Sequence, residues 1–242
     1  MADPFTLQTP PAASLATRRK PRFPSESAAY ARAREALLAE EIGLQRQIDA
    51  VAAQRRALPQ GPLIEKDYRF LGPNGGDTLG LADLFGTHDT LLTYFWMYGP
   101  DRPRPCPMCT NLIGPLDANA IDLKQRVAVA VLGRSPVERQ IAFAVERGWR
   151  HLDFYQTVGD DYALDIGGLD PETGWEYPAL VVFRKDAVGR VHLFWMGEMS
   201  SEMADPGKDP RGGPDFGTVW TALDLTPEGR GTGWYPKLSY AD

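Results

Sequence analysis

Residues 90–114 read TLLTYFWMYGPDRPRPCPMCTNLIG, and this stretch decides the fold. Thr90 to Tyr98 is an unbroken apolar and aromatic run. A run of that length and composition reads as a β-strand buried on both faces. Pro100 to Pro105 is a proline-rich loop, and the only two cysteines of the chain follow it as Cys106-Pro107-Met108-Cys109. From Thr110 to Lys124, Leu112, Ile113, Leu116, Ile121 and Leu123 mark a helix, which Gly114-Pro115 is expected to kink. The cysteines therefore stand where a strand hands over to a helix.

Two cysteines placed at random in a chain of this length fall three apart roughly once in a hundred times. The spacing brings two sulfurs within disulfide reach and puts the first at a helix N-terminus, where backbone N–H groups favour its thiolate. Arg102 and Arg104 lie just before Cys106, and each adds to that preference. Cys106 is thus the expected nucleophile. Cys109, one turn further in and more shielded, is the expected resolving thiol. Pro107 stiffens the turn and Met108 offers an apolar surface beside the sulfurs. Structural zinc usually needs four Cys or His ligands, and His88, His151 and His192 are scattered without ligand spacing. No metal and no cofactor is expected.

Working outward, residues 1–24 are proline-rich with little apolar periodicity and predict a disordered or loosely attached arm. Residues 25–58 predict one long amphipathic helix, capped by Ser25 or Ser27 and stopped by Pro59. Tyr30, Leu37, Leu44, Ile48 and Val51 form its apolar stripe, which predicts burial against a second copy of the chain in a homodimer, the alternative being that the helix folds back on its own domain. Residues 59–242 form the main domain, with a loop-rich C-terminal segment. Leu63 to Phe70 reads as a short strand, Leu79 to Leu84 as a small element, and Val127 to Leu132 as a second buried strand. Ser135-Pro136-Val137-Glu138 is a helix start with Ser135 as its cap, and Gly148 ends that helix. Trp149 to Thr157 predicts another strand. Pro178 then opens a hairpin through Ala179–Phe183 and Val191–Trp195, and a short helix is expected near Thr218 to Leu223.

The chain has 242 residues, 43% hydrophobic and 24% charged, with a net charge of −6. That composition fits a globular protein, and the acidic balance argues against nucleic acid or anionic membrane as partner. No stretch approaches the ~18 apolar residues of a membrane span, and no secretory signal is visible. A cytoplasmic, reducing setting is expected, where a cysteine pair is catalytic or metal-binding rather than structural.

Strand, Cys-x-x-Cys helix, strand, helix, then proline and hairpin is the element order of the thioredoxin fold: α/β, here with a long N-terminal helical extension. In that topology the proline before the hairpin is cis, lies against the disulfide and orients substrate. Pro178 takes this place, the alternative being a trans proline opening an edge strand. Tyr98 and Tyr177 are expected to line the site. The segments YARAREALLAEEIGLQRQIDAVAAQRRALP, KDYRF, LADLFGTHDTLLTYFWMYGP, CPMC and GRSPVERQIAFAVERGW follow in one order. Together they resemble a thioredoxin-like family of predicted dithiol–disulfide oxidoreductases, originally a domain-of-unknown-function family related to alkyl hydroperoxide reductases. The resemblance implies a thiol–disulfide exchange activity with no established substrate or electron donor. Thr110 stands where family members often carry Ser, and Pro105 where thioredoxins proper carry tryptophan. The expected substrate is a protein or small-molecule thiol or disulfide. Two alternatives stay open. One is a peroxidase using Cys106, which lacks the usual Pro-x-x-x-Thr-x-x-Cys pattern because position 103 is Pro103. The other is a non-catalytic interaction protein whose thiols sense redox state.

Overall fold

A computed structural model describes residues 9–20, 23–73, 75–76, 78–197, 221–223, 225–227, 233 and 235–240. The chain divides into two units, Met1–Pro59 and Gln60–Asp242. In the first, the Ser27 side chain accepts the Tyr30 N–H at 3.1 Å and starts α2 (Ala28–Arg56). Side-chain capping of this kind satisfies one of the orphan donors of the first turn. Tyr30, Leu37, Leu44, Ile48 and Val51 all stay exposed on α2. Where proline content predicts a loose arm, a short helix, α1 (Ala12–Ala16), packs on α2. The side chain of Arg46 fixes the approach by donating to the Pro10 carbonyl at 2.7 Å.

The second unit is built on a seven-stranded sheet in the order β2-β1-β5-β4-β3-β6-β7. Its strands are β1 (Arg69–Leu71), β2 (Leu79–Gly80), β3 (Thr90–Phe95), β4 (Ala128–Gly133), β5 (Asp153–Val158), β6 (Ala179–Lys185) and β7 (Val191–Met196). β3, β4 and β5 are parallel, while β6 and β7 are an antiparallel hairpin set against β3. The apolar run is the centre of this sheet, and its alternate side chains go to two different cores. Leu91 and Phe95 face one, with Val181, Phe183 and Tyr162, and Tyr94 and Trp96 face the other, with Val131, Ile113 and Phe143.

Helices α3 (Pro107–Leu123) and α4 (Val137–Arg147) share the second core, and α5 (Asp161–Asp165) lies with the first. Right-handed crossovers put α3 and α4 on one face, because β3-α3-β4 and β4-α4-β5 join parallel strands and step the same way along the sheet. The element order and the β4-β3-β6-β7 core are those of a thioredoxin-like fold with a long helix preceding it.

Three local expectations change. Leu63 to Phe70 is not one strand: Leu63 bridges to His192 on β7, whereas Arg69–Leu71 pairs with β5. The segment turns at Lys66–Tyr68 and crosses between the two sides of the sheet. Ser135 is not the cap of α4; Pro136 takes that place, and the Gln156 side chain accepts the Val137 N–H at 3.3 Å. Pro115 lies inside α3, which runs as one helix. Asp117 ties α3 to the start of β5, its buried carboxylate accepting the N–H groups of Arg150, His151 and Leu152. Of the expected C-terminal helix, residues 221–223 are helical and 218–220 lie outside the described residues. Among the described residues, no helix is long and apolar enough to cross a membrane.

Candidate active site

β3 delivers the chain to the sulfurs through a stitched loop. The Trp96 N–H donates to the Leu132 carbonyl at 3.0 Å, the Ser135 N–H to Tyr98 at 2.9 Å, and the Cys106 N–H to Met97 at 3.0 Å. Cys106 therefore returns against the end of the strand that preceded it. It is the N-cap of α3, extended at φ −60° and ψ 128°, with Pro107 as the first helical residue. Proline suits that position because its missing N–H has no partner there in any case. The N–H and the hydroxyl of Thr110 both donate to the Cys106 carbonyl, each at 3.0 Å. A serine would supply the same hydroxyl.

Both cysteines are free thiols; Cys106 is half-buried and Cys109 buried. The Cys106 thiol is lowered to about 6, against an ordinary value near 8.5. The largest cause is a hydrogen bond from the Cys109 thiol, opposed by burial. The backbone N–H groups of Cys109 and Met108, at the start of α3, follow, and then the charge of Arg102. Cys109 moves the other way. Its hydrogen bond to Cys106 and its burial push it well above the ordinary value, against the pull of the Tyr94 hydroxyl and the Met97 backbone. One contact therefore separates the two thiols into an acidic outer and a reluctant inner group.

The residues flanking the cysteines divide. Arg102 is positioned by Glu176, which accepts its Nε at 3.2 Å, and its guanidinium stacks over Trp175 at 5.2 Å. Arg104 turns away to a bidentate pair with Glu146 on α4 and stands 4.8 Å over Phe143. Tyr98 is buried under the Arg139 guanidinium, also at 4.8 Å. Tyr177 is exposed, and its N–H donates to Gly168. Pro178 precedes the Phe95–Ala179 pair, so it stands at the end of the sheet where β3 leaves for the cysteines.

Two residues of this region escape a sequence reading. Glu176 is 4% exposed and accepts the Gly99 N–H at 2.9 Å, Arg102, and Arg134 Nη1 at 3.4 Å. A glutamate that buried is held only by such pairing. It binds together the loop before Cys106, the end of β4 and the loop before Pro178. The only sequence signal was its place two residues before that proline. Tyr94, which reads as core, reaches Cys109 from the central strand. Among the described residues, no group of His, Cys, Asp and Glu stands together as a metal site.

The chain matches a family over residues 20–240, described as "Bacterial protein of unknown function (DUF899)". It belongs to that family. No curated protein matches the chain. Among solved structures, AhpC of Enterococcus faecalis is 15% identical with a TM-score of 0.43, covering 68% of this chain and 90% of its own. A thiol peroxidase from Chromobacterium violaceum is 14% identical with a TM-score of 0.43, covering 69% and 87%. The exposed lipoprotein thioredoxin Etrx1 of Streptococcus pneumoniae is 16% identical with a TM-score of 0.38, covering 57% and 93%. None of these values is high enough to carry an activity across to this DUF899 member.

Proposed function

We propose that this DUF899 protein is a dithiol–disulfide oxidoreductase of a reducing, cytoplasmic setting. Cys106 is its nucleophile, Cys109 its resolving thiol and Pro178 the residue that orients substrate. The observation that carries the reading is the polarised pair: a thiol lowered to about 6 at a helix N-terminus, touching a buried thiol raised above its ordinary value. A nucleophile near 6 is mostly thiolate at neutral pH, which is the reactive form. The Cys106 anion attacks a substrate disulfide and one substrate thiol leaves with a proton. Cys109 then attacks the Cys106 sulfur, the second thiol leaves, and two electrons have passed from protein to substrate. An external thiol donor restores the dithiol. Cys109→Ser is expected to accumulate mixed disulfides on Cys106, and Cys106→Ser to accumulate none; equal trapping by both variants removes the assigned roles.

We propose further that α2 pairs with a second copy of the chain. Tyr30, Leu37, Leu44 and Val51 recur every seven residues and are between 39% and 62% exposed. With Ile48 they leave an apolar stripe open along α2, which the same stripe of a second copy would cover. Two such helices, each about 43 Å long, bury on the order of 800 Å² apiece, the usual size of a stable interface.

A further inference from the structure

Gly99, Asp101, Arg102, Arg134, Trp175 and Glu176 line, among others, a cleft of about 270 Å³. Gly99, Arg102 and Pro103 line this cleft from the loop that the Cys106 N–H closes on the Met97 carbonyl at 3.0 Å, so the cleft adjoins the sulfur's own loop, and the charge of Arg102 is felt at Cys106. We propose that the cleft holds a small disulfide carrying a carboxylate, with Arg102 binding that carboxylate while Cys106 attacks the adjacent sulfur. The inference rests on the dithiol reading and adds a substrate class to it.

The charges decide the class. Glu176 faces inward, and its carboxylate is already engaged by one backbone N–H and two guanidiniums. Arg134 is engaged at Nε by Asp160 at 2.8 Å and at Nη1 by Glu176. Arg102 differs. Glu176 takes only its Nε, and among the described residues both of its terminal nitrogens lack an acceptor. The guanidinium lies over the Trp175 ring, 5.2 Å from its centroid, and is held from the Nε side by Glu176. An open, pre-oriented guanidinium edge matches a carboxylate in two parallel hydrogen bonds. Trp175 is itself 54% exposed and gives the methylenes of a small disulfide an apolar wall. The cleft volume lies just below the roughly 300–1,000 Å³ of sites for drug-sized ligands, which suits a smaller molecule.

The reaction balances as thiol–disulfide exchange. Cys106 S⁻ bonds the sulfur bearing the carboxylate arm, and the distal thiolate leaves and is protonated. Cys109 then displaces the retained half as a thiol and closes the Cys106–Cys109 disulfide. A dithiol reductant such as dithiothreitol returns the electrons.

The test compares dithiodiglycolate, which carries carboxylates, with the uncharged hydroxyethyl disulfide. The readout is the ratio of their kcat/KM values in the full chain and in Arg102→Met. Any effect of Arg102 on Cys106 itself enters both substrates and cancels in the ratio. The ratio is expected to fall about tenfold or more, the usual effect of losing a charge-assisted bidentate pair. Arg102→Lys, which keeps the charge and loses the fork, is expected to recover only part of it. In addition, thiodiglycolate, a thioether that cannot exchange, is titrated calorimetrically into Cys106→Ser, where it should bind, and into Cys106→Ser with Arg102→Lys, where it should bind more weakly, which tests the point even if Arg102→Met does not fold. Reduction of hydroxyethyl disulfide with an unchanged ratio, or no thiodiglycolate binding, overturns the carboxylate site and leaves the dithiol reading intact. Failure to reduce either disulfide overturns the dithiol reading itself.

Discussion

Replacing Cys109 by alanine removes the thiol hydrogen bond that contributes most to holding Cys106 as an anion. With a midpoint of about 6, Cys106 is roughly nine-tenths thiolate at pH 7. A hydrogen bond to a charged group contributes about 1.5–3 kcal/mol, and one pKa unit corresponds to about 1.4 kcal/mol. Cys109→Ala should therefore raise the Cys106 midpoint by about one to two units, to between about 7 and 8. The N–H groups of Met108 and Cys109 remain in the variant, so the thiol should stay below the free value of about 8.5. At pH 7 the thiolate fraction then falls to between about one-half and one-tenth. Alkylation of Cys106 by iodoacetamide, followed across pH by mass spectrometry, reads this as a two- to ninefold slowing, by roughly the same arithmetic. Cys109→Ser keeps a hydroxyl donor and should move the midpoint less. An unmoved midpoint in Cys109→Ala would assign the whole effect to the helix terminus and refute the reasoning. So would a starting midpoint at or above about 8.5. The same shift has a stability consequence. The folded midpoint lies below the unfolded one, so stabilisation of the reduced protein by this group is complete above about pH 8.5 and is lost as pH falls through about 6. The melting temperature of the reduced protein, followed over that window against Cys106→Ser, reads it.

Glu176→Gln breaks a buried carboxylate from two guanidiniums and is expected to lower the unfolding free energy by about 3 kcal/mol in urea titration. A change within ±0.5 kcal/mol would show that the three loops do not depend on it. Methylthiolation of Cys106 should bring the Cys109 midpoint down, read from its β-carbon shift against pH; an unchanged midpoint would mean that burial alone sets it. The double substitution Leu37→Glu and Leu44→Glu should convert a dimer into a folded monomer in sedimentation of the full chain, and a monomeric parent protein at micromolar concentration refutes the pairing.

Much of the fold was legible because its decisive element is local. A strand buried on both faces announces itself without help from distant residues, and Thr90–Phe95 pairs on both sides as its composition requires. The start of α2 is likewise written in Ser27 and the alanines after it. What failed was inference from nearness in sequence. Arg104 is two residues from Cys106, yet prolines on both sides of it turn its side chain to Glu146, forty-two residues on. Glu176 is seventy residues from Cys106 in the chain, and three loop ends converge on it in space. Ser135 has the sequence of a cap but lies buried, and Gln156 from β5 accepts the N–H it was expected to take. Each of these three misses is a polar side chain whose partner comes from another element, and no local pattern encodes such a partner.

The spacing puts the two sulfurs within reach of each other, but the hydrogen bond that shifts the two thiols in opposite directions is not written in it, and it bears most on the chemistry. A helix N-terminus lowers any thiol placed there, so it explains why Cys106 is acidic but not why Cys109 is not. The hydrogen bond between them does both, because the proton that Cys109 offers stabilises the Cys106 anion and is itself held in place by it. The order of the two steps follows. While Cys106 is a thiolate, Cys109 keeps its proton and cannot compete for substrate. Once Cys106 has bonded to a substrate sulfur its negative charge is gone, and with it the largest cause raising Cys109. The Tyr94 hydroxyl and the Met97 backbone, which favour the Cys109 anion throughout, are then opposed only by burial. The resolving thiol becomes reactive when, and because, there is a mixed disulfide for it to resolve.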